Sequence, residues 1–189
     1  MADTVVTPVG RVTFETVWEP RLNKNARPGS KPKYKIELSF PPGTDLGPMG
    51  ALVEKVMGER WPAGKPKKFQ NPFLKPESIN NCELPDGWFV VRFSSTSKPN
   101  VVDQNVQPIL ETGDFYSGCW ARVSCHAFAF PTDPKDTSMD PGVSFGLGNV
   151  QKMRDDEPLF GQRRNKPEDD FGAPVAAAAK TGSASSLFE

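Results

Sequence analysis

Trp120, Arg122, Ser124, His126, Phe128 and Phe130 fall on every second position of the stretch WARVSCHAFAF. An indole, a guanidinium, an imidazole and two phenyl rings in one line suit flat, anionic ligands, because rings stack on bases while cations meet phosphates. The interleaved positions are Ala121, Val123, Cys125, Ala127 and Ala129, small enough to sit tightly against a core. Side chains alternate across a strand, so the spacing predicts one long strand with a binding face and a core face. The competing reading makes Phe128 and Phe130 core, with a bulge shifting the register midway. GDFYSG, just upstream, places Phe115 and Tyr116 at the entrance to this strand.

Rings and cations meet again in WPAGKPKKFQNPFLK, residues 61–75. Lys65, Lys67 and Lys68 lie among Trp61, Phe69 and Phe73, a composition that single-stranded nucleic-acid grooves use. Its prolines argue against a strand ladder and predict a long basic loop. The alternative is a loop pinned to the body by Trp61 and Phe73. In Trp88–Phe93 the alternation sends Phe89, Val91 and Phe93 to the core and leaves Trp88 and Arg92 exposed together. In Lys33–Phe40 it buries Tyr34, Ile36, Leu38 and Phe40 and sets Lys33 and Lys35 toward solvent, where they can track a phosphate backbone.

Catalytic chemistry is missing. The chain has one histidine, His126, with no carboxylate beside it in sequence, and neither a glycine-rich phosphate loop nor a nucleophile elbow. Cys82, Cys119, Cys125 and His126 lack zinc-knuckle spacing, and Cys125 and His126 would point to opposite faces of a strand. The acidic runs Asp155-Asp156-Glu157 and Glu168-Asp169-Asp170 fall late in the chain, where a solvated run is the plainer reading than a metal site. The expectation is a binding protein, not an enzyme, with no metal and no cofactor.

The elements that must position these groups are short. Twenty prolines and 16 glycines in 189 residues point to many turns and a mainly β chain. An opening strand is expected from Arg11 to Trp18, with Val12, Phe14, Thr16 and Trp18 on one face and Arg11, Thr13 and Glu15 on the other. One helix is expected from a start at Thr44-Asp45 to about Arg60, carrying Leu46, Met49, Leu52, Val53, Val56 and Met57. A closing strand is expected over Gly142–Lys152. Residues 1–152 then form one domain and residues 153–189 a flexible, partly acidic tail. Net charge is zero, yet residues 21–75 hold twelve Lys and Arg against four acids, a local +8. From residue 153 onward, five Lys and Arg face seven acids. That asymmetry suggests a polyanion partner, with the tail as an internal competitor. No run is long and apolar enough to span a membrane, no secretory signal is expected, and three irregularly spaced cysteines do not make a disulfide framework. These features fit a cytosolic protein.

With GDFYSGCWARVSCHAFAF followed by GVSFGLGNVQKMRDDEPL, the sequence resembles a family of phage single-stranded DNA-binding proteins. GRVTFETVWEP, KPKYKIELSF and DGWFVVRFSSTSKPNVVDQN follow in order, so the resemblance covers roughly residues 8–160. It implies an OB-fold-like Greek-key β-barrel of about five strands, elaborated by the helix and long basic loops, that holds single-stranded DNA without sequence preference. It further implies that Tyr116, Trp120 and Arg122 face the DNA, that the protein works in phage replication or recombination in the cytoplasm of the bacterial host, and that the C-terminal tail docks replication or recombination proteins. Phe171 and Phe188 are the aromatic hooks of such a tail. A second reading, from another class, is a virion structural or assembly protein using the same barrel as a protein–protein module.

Overall fold

The computed structural model describes residues 3–24, 26, 28–76, 84–130 and 140–159. Chain order runs β1 (Val5–Val6), β2 (Gly10–Glu15), β3 (Tyr34–Phe40), α1 (Gly47–Arg60), β4 (Phe73–Leu74), β5 (Phe89–Ser95), β6 (Val101–Val102), β7 (Trp120–Phe130) and β8 (Gly142–Arg154). Strands β2, β3, β5, β8 and β7 close into a ring, since β7 pairs with both β8 and β2. All ring pairings are antiparallel except β5 with β8. This is the expected OB-fold-like barrel. The three two-residue strands extend its edges: β1 beside β7, β6 beside β8 and β4 beside β5.

The barrel interior is filled by Val12, Ile36, Leu38, Phe93, Val123, Phe145 and Val150, all essentially buried. Phe93 and Phe145 meet with ring centroids 5.6 Å apart. The helix adds Met49, Leu52 and Val53 to the same cluster. It starts later than expected, at Gly47, with Leu46 rather than Thr44 at its N-cap. Asp45 accepts the Gly47 N–H at 2.8 Å, whereas the Thr44 hydroxyl turns back to donate to the Pro41 carbonyl. Pro48 then occupies the first turn, where no N–H is needed.

Strand β7 keeps the alternation read from its sequence. Ala121, Val123, Cys125 and Ala127 are buried, and Phe128 on the opposite face is 37% exposed, which excludes the reading in which it is core. Two bulges do occur in the β7–β8 ladder, between Trp120 and Ala121 and between Val123 and Cys125. In each, β8 contributes the additional residue, so the register of β7 is not disturbed.

Strand β2 behaves in the opposite way. Its ladder with β3 shifts between Val12 and Phe14, and the additional residue, Thr13, lies in β2 itself. The expected face of Val12, Phe14, Thr16 and Trp18 is therefore broken: Phe14 is 40% exposed, while Thr13 and Val17 are buried. Two further expectations change. Within the loop after α1, Phe73 and Leu74 do form a ladder, with Val91 and Val90, because the proline there precedes the paired residues. Phe89 is exposed and Val90 is fully buried, because β4 pairs over this end of β5.

Truncating Phe93 to Ala removes the ring that joins β5 to Phe145. The expected cost is about 3–5 kcal/mol, read as a lower urea midpoint with an unchanged m-value. A loss below about 1 kcal/mol would mean that the barrel interior can collapse around the gap.

Candidate nucleic-acid interface

Trp120 opens the outer face of β7, and its lateral neighbours come from two other strands. Arg11 of β2 and Arg154 of β8 are its register partners on either side. The Arg154 guanidinium lies 4.3 Å from the indole centroid, a cation–π contact. Arg11 is held by neutral acceptors: its Nε donates to the Gly118 carbonyl at 3.3 Å and its Nη2 to the Glu157 carbonyl at 3.0 Å. Trp88, from the turn before β5, brings a second indole to 6.3 Å from the first at a 50° tilt. The two tryptophans singled out on separate strands thus form one half-buried pair.

The chain after β8 runs back along this cluster. The indole N–H of Trp120 donates to Asp156 Oδ2 at 2.7 Å, and the Tyr116 hydroxyl lies 2.8 Å from Asp155 Oδ1. Asp155 also pairs with Lys152 at 2.8 Å, and that ammonium sits 5.5 Å from the Tyr116 ring centroid. Of the tail expected from residue 153, Met153 and Arg154 complete β8 and residues 155–159 lie against the body, where the Leu159 N–H reaches the Ser117 carbonyl at 3.0 Å. Gly118 makes the approach possible. Its φ is +121°, and a Cβ there would fall 2.3 Å from the Glu157 carbonyl oxygen. The Trp120 N–H, then the Glu157 N–H, hold the Asp156 carboxyl below its ordinary pKa.

One row further along β7, Arg122 Nε donates to Gln151 Oε1 at 2.8 Å, and Gln151 in turn donates to the carbonyls of Asp103 and Gln104. A neutral amide orients this guanidinium, so its charge is not cancelled. Arg92 is different: its Nε lies 2.6 Å from Glu37 Oε1. Lys33 is exposed and Lys35 half-buried; burial first, and then the Lys33 charge, lower the Lys35 pKa, and its ammonium donates to Asn23. This cationic group sits about 20 Å up the β3–β5 ladder from Trp88, six residues at strand rise.

The basic loop uses its rings as anchors. Trp61 meets Phe69 edge-on at 5.7 Å, Phe73 meets Phe145 at 5.9 Å, and all three loop rings pack against the core. Lys65 Nζ stands 4.4 Å from the Phe69 centroid, and Lys67 and Lys68 are exposed. Among the described residues no group of three His, Cys, Asp or Glu gathers as a metal site. Burial pushes the Cys119 thiol up to about 11 and the Cys125 thiol up to about 12, so both stay protonated and unreactive at neutral pH. No helix of the described residues is long and apolar enough to cross a membrane.

Sequence reading missed Arg11, Arg154 and Asp156 as neighbours of Trp120 and Lys152 as a neighbour of Tyr116. A closing strand carried two residues further would have reached Arg154, but not its face, because the bulge at Met153 sets Lys152 opposite Ala121 and Arg154 opposite Trp120. Asp156 has no such signal, because its contact depends on the turn after β8. Cys82, the segment 131–139 and the tail residues 160–189, with their acidic run and both aromatic hooks, lie outside the described residues.

A family model described as the ssDNA-binding protein of Enterobacter phage Enc34 matches residues 3–182. No curated protein sequence matches the chain. Among solved structures, the single-stranded DNA-binding protein of bacteriophage Enc34 in complex with ssDNA is similar with a TM-score of 0.63 at 18% identity, over 84% of this chain and 89% of that one. A second structure of the bacteriophage Enc34 protein gives 0.61 at 18% identity over 89% of both chains. The single-stranded DNA-binding protein gp2.5 encoded by bacteriophage T7 gives 0.60 at 14% identity, over 86% of this chain and 98% of that one.

The Asp156–Trp120 contact sets a pH dependence. A carboxyl lowered from its ordinary value of 3.8 contributes its contact fully above that value and loses it as pH falls through the lowered one. Tryptophan emission is expected to change in acid, below the ordinary carboxylate range, before global unfolding. Asp156→Asn should abolish that step; an unaltered step in the variant would assign it to another carboxylate.

Proposed function

The chain belongs to the family of the Enterobacter phage Enc34 ssDNA-binding protein, and from that membership and the geometry of β7 we propose that it binds single-stranded DNA without sequence preference. The observation that carries the reading is the row Arg11–Trp120–Arg154, with Trp88 against the same indole. Bases have π-faces whatever their identity, so stacking on Trp120, Trp88 and Tyr116 holds a strand without reading it. Arg11, Arg122 and Arg154 stand beside the rings, where phosphates follow the bases. Lys33, Lys35 and Arg92 on one side, and Lys65, Lys67 and Lys68 on the loop, extend the positive field that neutralises the backbone. Asp155 and Asp156 border the rings with negative charge and make the strand compete for the cations.

The protein acts as a binding protein rather than an enzyme, in phage replication or recombination within the host cytoplasm, with the tail beyond residue 159 as the segment that engages replication or recombination proteins. Its chemistry there is release of counterions and coverage of bases. The virion-assembly reading finds no supporting observation in the barrel or in the matched family.

Two measurements test the reading. Trp120→Ala is expected to weaken binding to labelled oligo-dT by about 1–3 kcal/mol, roughly five- to 150-fold in Kd, with far-UV CD and melting midpoint unchanged; a variant that unfolds would place the indole among the structural residues. Replacing Lys67 and Lys68 by Ala should reduce the salt slope of log K by about 1.4, at ~0.7 per phosphate contact for single strands. A slope identical to wild type would remove the loop from the interface.

A further inference from the structure

Beyond Arg122 the outer face of β7 carries Ser124, His126, Phe128 and Phe130, and no described element covers the 37% of Phe128 left exposed. Their register partners on β8 include Gly146 opposite His126, Ser144 opposite Phe128 and Gly142 opposite Phe130. Space explains this composition. A Cβ at Gly146 would lie 2.2 Å from His126 Cε1 and 2.4 Å from its Nε2, and one at Gly142 would lie 2.7 Å from Phe130 Cζ. The imidazole and the phenyl ring therefore occupy the volume that side chains of β8 would fill, and lean across that strand instead of standing clear of it. His126 and Phe128 are neighbours, with centroids 6.2 Å apart.

The strip is continuous with the tryptophan cluster at one end and the basic loop at the other. Trp120 and Phe128 are eight residues apart on one strand, about 26 Å, with Arg122 between them. At the far end Gln70 accepts from the Val143 N–H and donates to the Pro141 carbonyl, which joins the loop bearing Lys65, Lys67 and Lys68 to the start of β8. We propose that His126 and Phe128 form a second base-stacking subsite on the glycine floor of β8, which takes the continuation of the strand held at Trp120 and passes it toward the lysine loop. This rests on the single-stranded DNA reading above. The occupant is a nucleic-acid strand rather than a protein because Arg122, Ser124 and Asn149 interrupt the rings with polar groups, and lysines wait at the exit.

The test uses the full chain and labelled oligo-dT of about 5 and about 20 nucleotides, at the short end of and beyond the ~4–16 nucleotides one OB-fold covers. The short strand is expected to take the Trp120 end, where two arginines flank the ring. His126→Ala/Phe128→Ala should weaken binding of the long strand roughly tenfold or more while the short strand changes less than about twofold. Equal loss at both lengths, or none at either, overturns the subsite. So does a changed oligomeric state in sedimentation with long-strand affinity intact, which would assign the strip to a second copy of the chain. Trp120→Ala serves as the discriminating control: if it leaves both lengths unaffected, the DNA reading itself fails, independently of His126 and Phe128. Should the double variant not fold, Phe128→Trp replaces it. The emission that Phe128→Trp adds over wild type, titrated in parallel to subtract the native tryptophans, should be quenched by the long strand and not by the short one, and quenching of that difference by both or by neither overturns the proposal.

Discussion

Strand β7 can hold rings toward solvent and alanines toward the interior because β8 lies beside it along nearly its whole length. That antiparallel ladder closes the barrel, and everything at the interface inherits its position from it. Arg154 stands over Trp120, Gln151 orients Arg122, and Gly146 admits His126, all as register partners of one pair of strands. The remaining elements make the ladder rigid. Phe145 on the inner side of β8 meets both Phe93 and Phe73, so the core braces the same strand whose outer side forms the floor.

The charges around the rings are held in two distinct ways. Arg11 and Arg122 are oriented by carbonyl and amide oxygens, which fix a guanidinium without neutralising it. Arg92 and Lys152 are paired with carboxylates. For a polyanion the first kind presents a full charge already in place, while the second requires an ion pair to be loosened. Each pair keeps one partner about half exposed and the other largely covered, and solvent-facing ion pairs are individually weak, so this is a gradation in how readily each cation turns to a phosphate. On that scale Arg11 and Arg122 stand above Arg92 and Lys152.

Much of this was legible in the residues. The alternation in β7 identified both of its faces, and in Trp88–Phe93 it placed Val91 and Phe93 inside and Arg92 outside, while Trp88 is half-buried against Trp120. What failed was decided by partners that a local pattern does not contain. Thr13 becomes the additional residue of a bulge only in relation to β3, and that moves Phe14 outward. Val90 is buried because Phe73–Leu74 pairs beside it from a loop whose prolines suggested no ladder. Thr44 and Asp45 both read as a helix start, yet Leu46 is the N-cap: the Thr44 hydroxyl is drawn to the Pro41 carbonyl, and Asp45 holds the Gly47 N–H from outside the helix. The arginines at Trp120 came from positions 11 and 154, and only ring closure brings them together.

The placement of both irregularities on β8 divides the hairpin into a ruler and an expansion joint. A residue gained or lost within β7 exchanges its two faces, sending Ala and Val outward and the rings into the barrel. Near Gly148-Asn149 or Met153 the backbone already departs from the regular ladder, so a change of length there alters the size of an existing bulge and leaves the opposite strand in phase. Variation in length along this hairpin is thus channelled to one strand. The barrel can drift in sequence and in size on that side while the order of rings and cations on the other stays fixed.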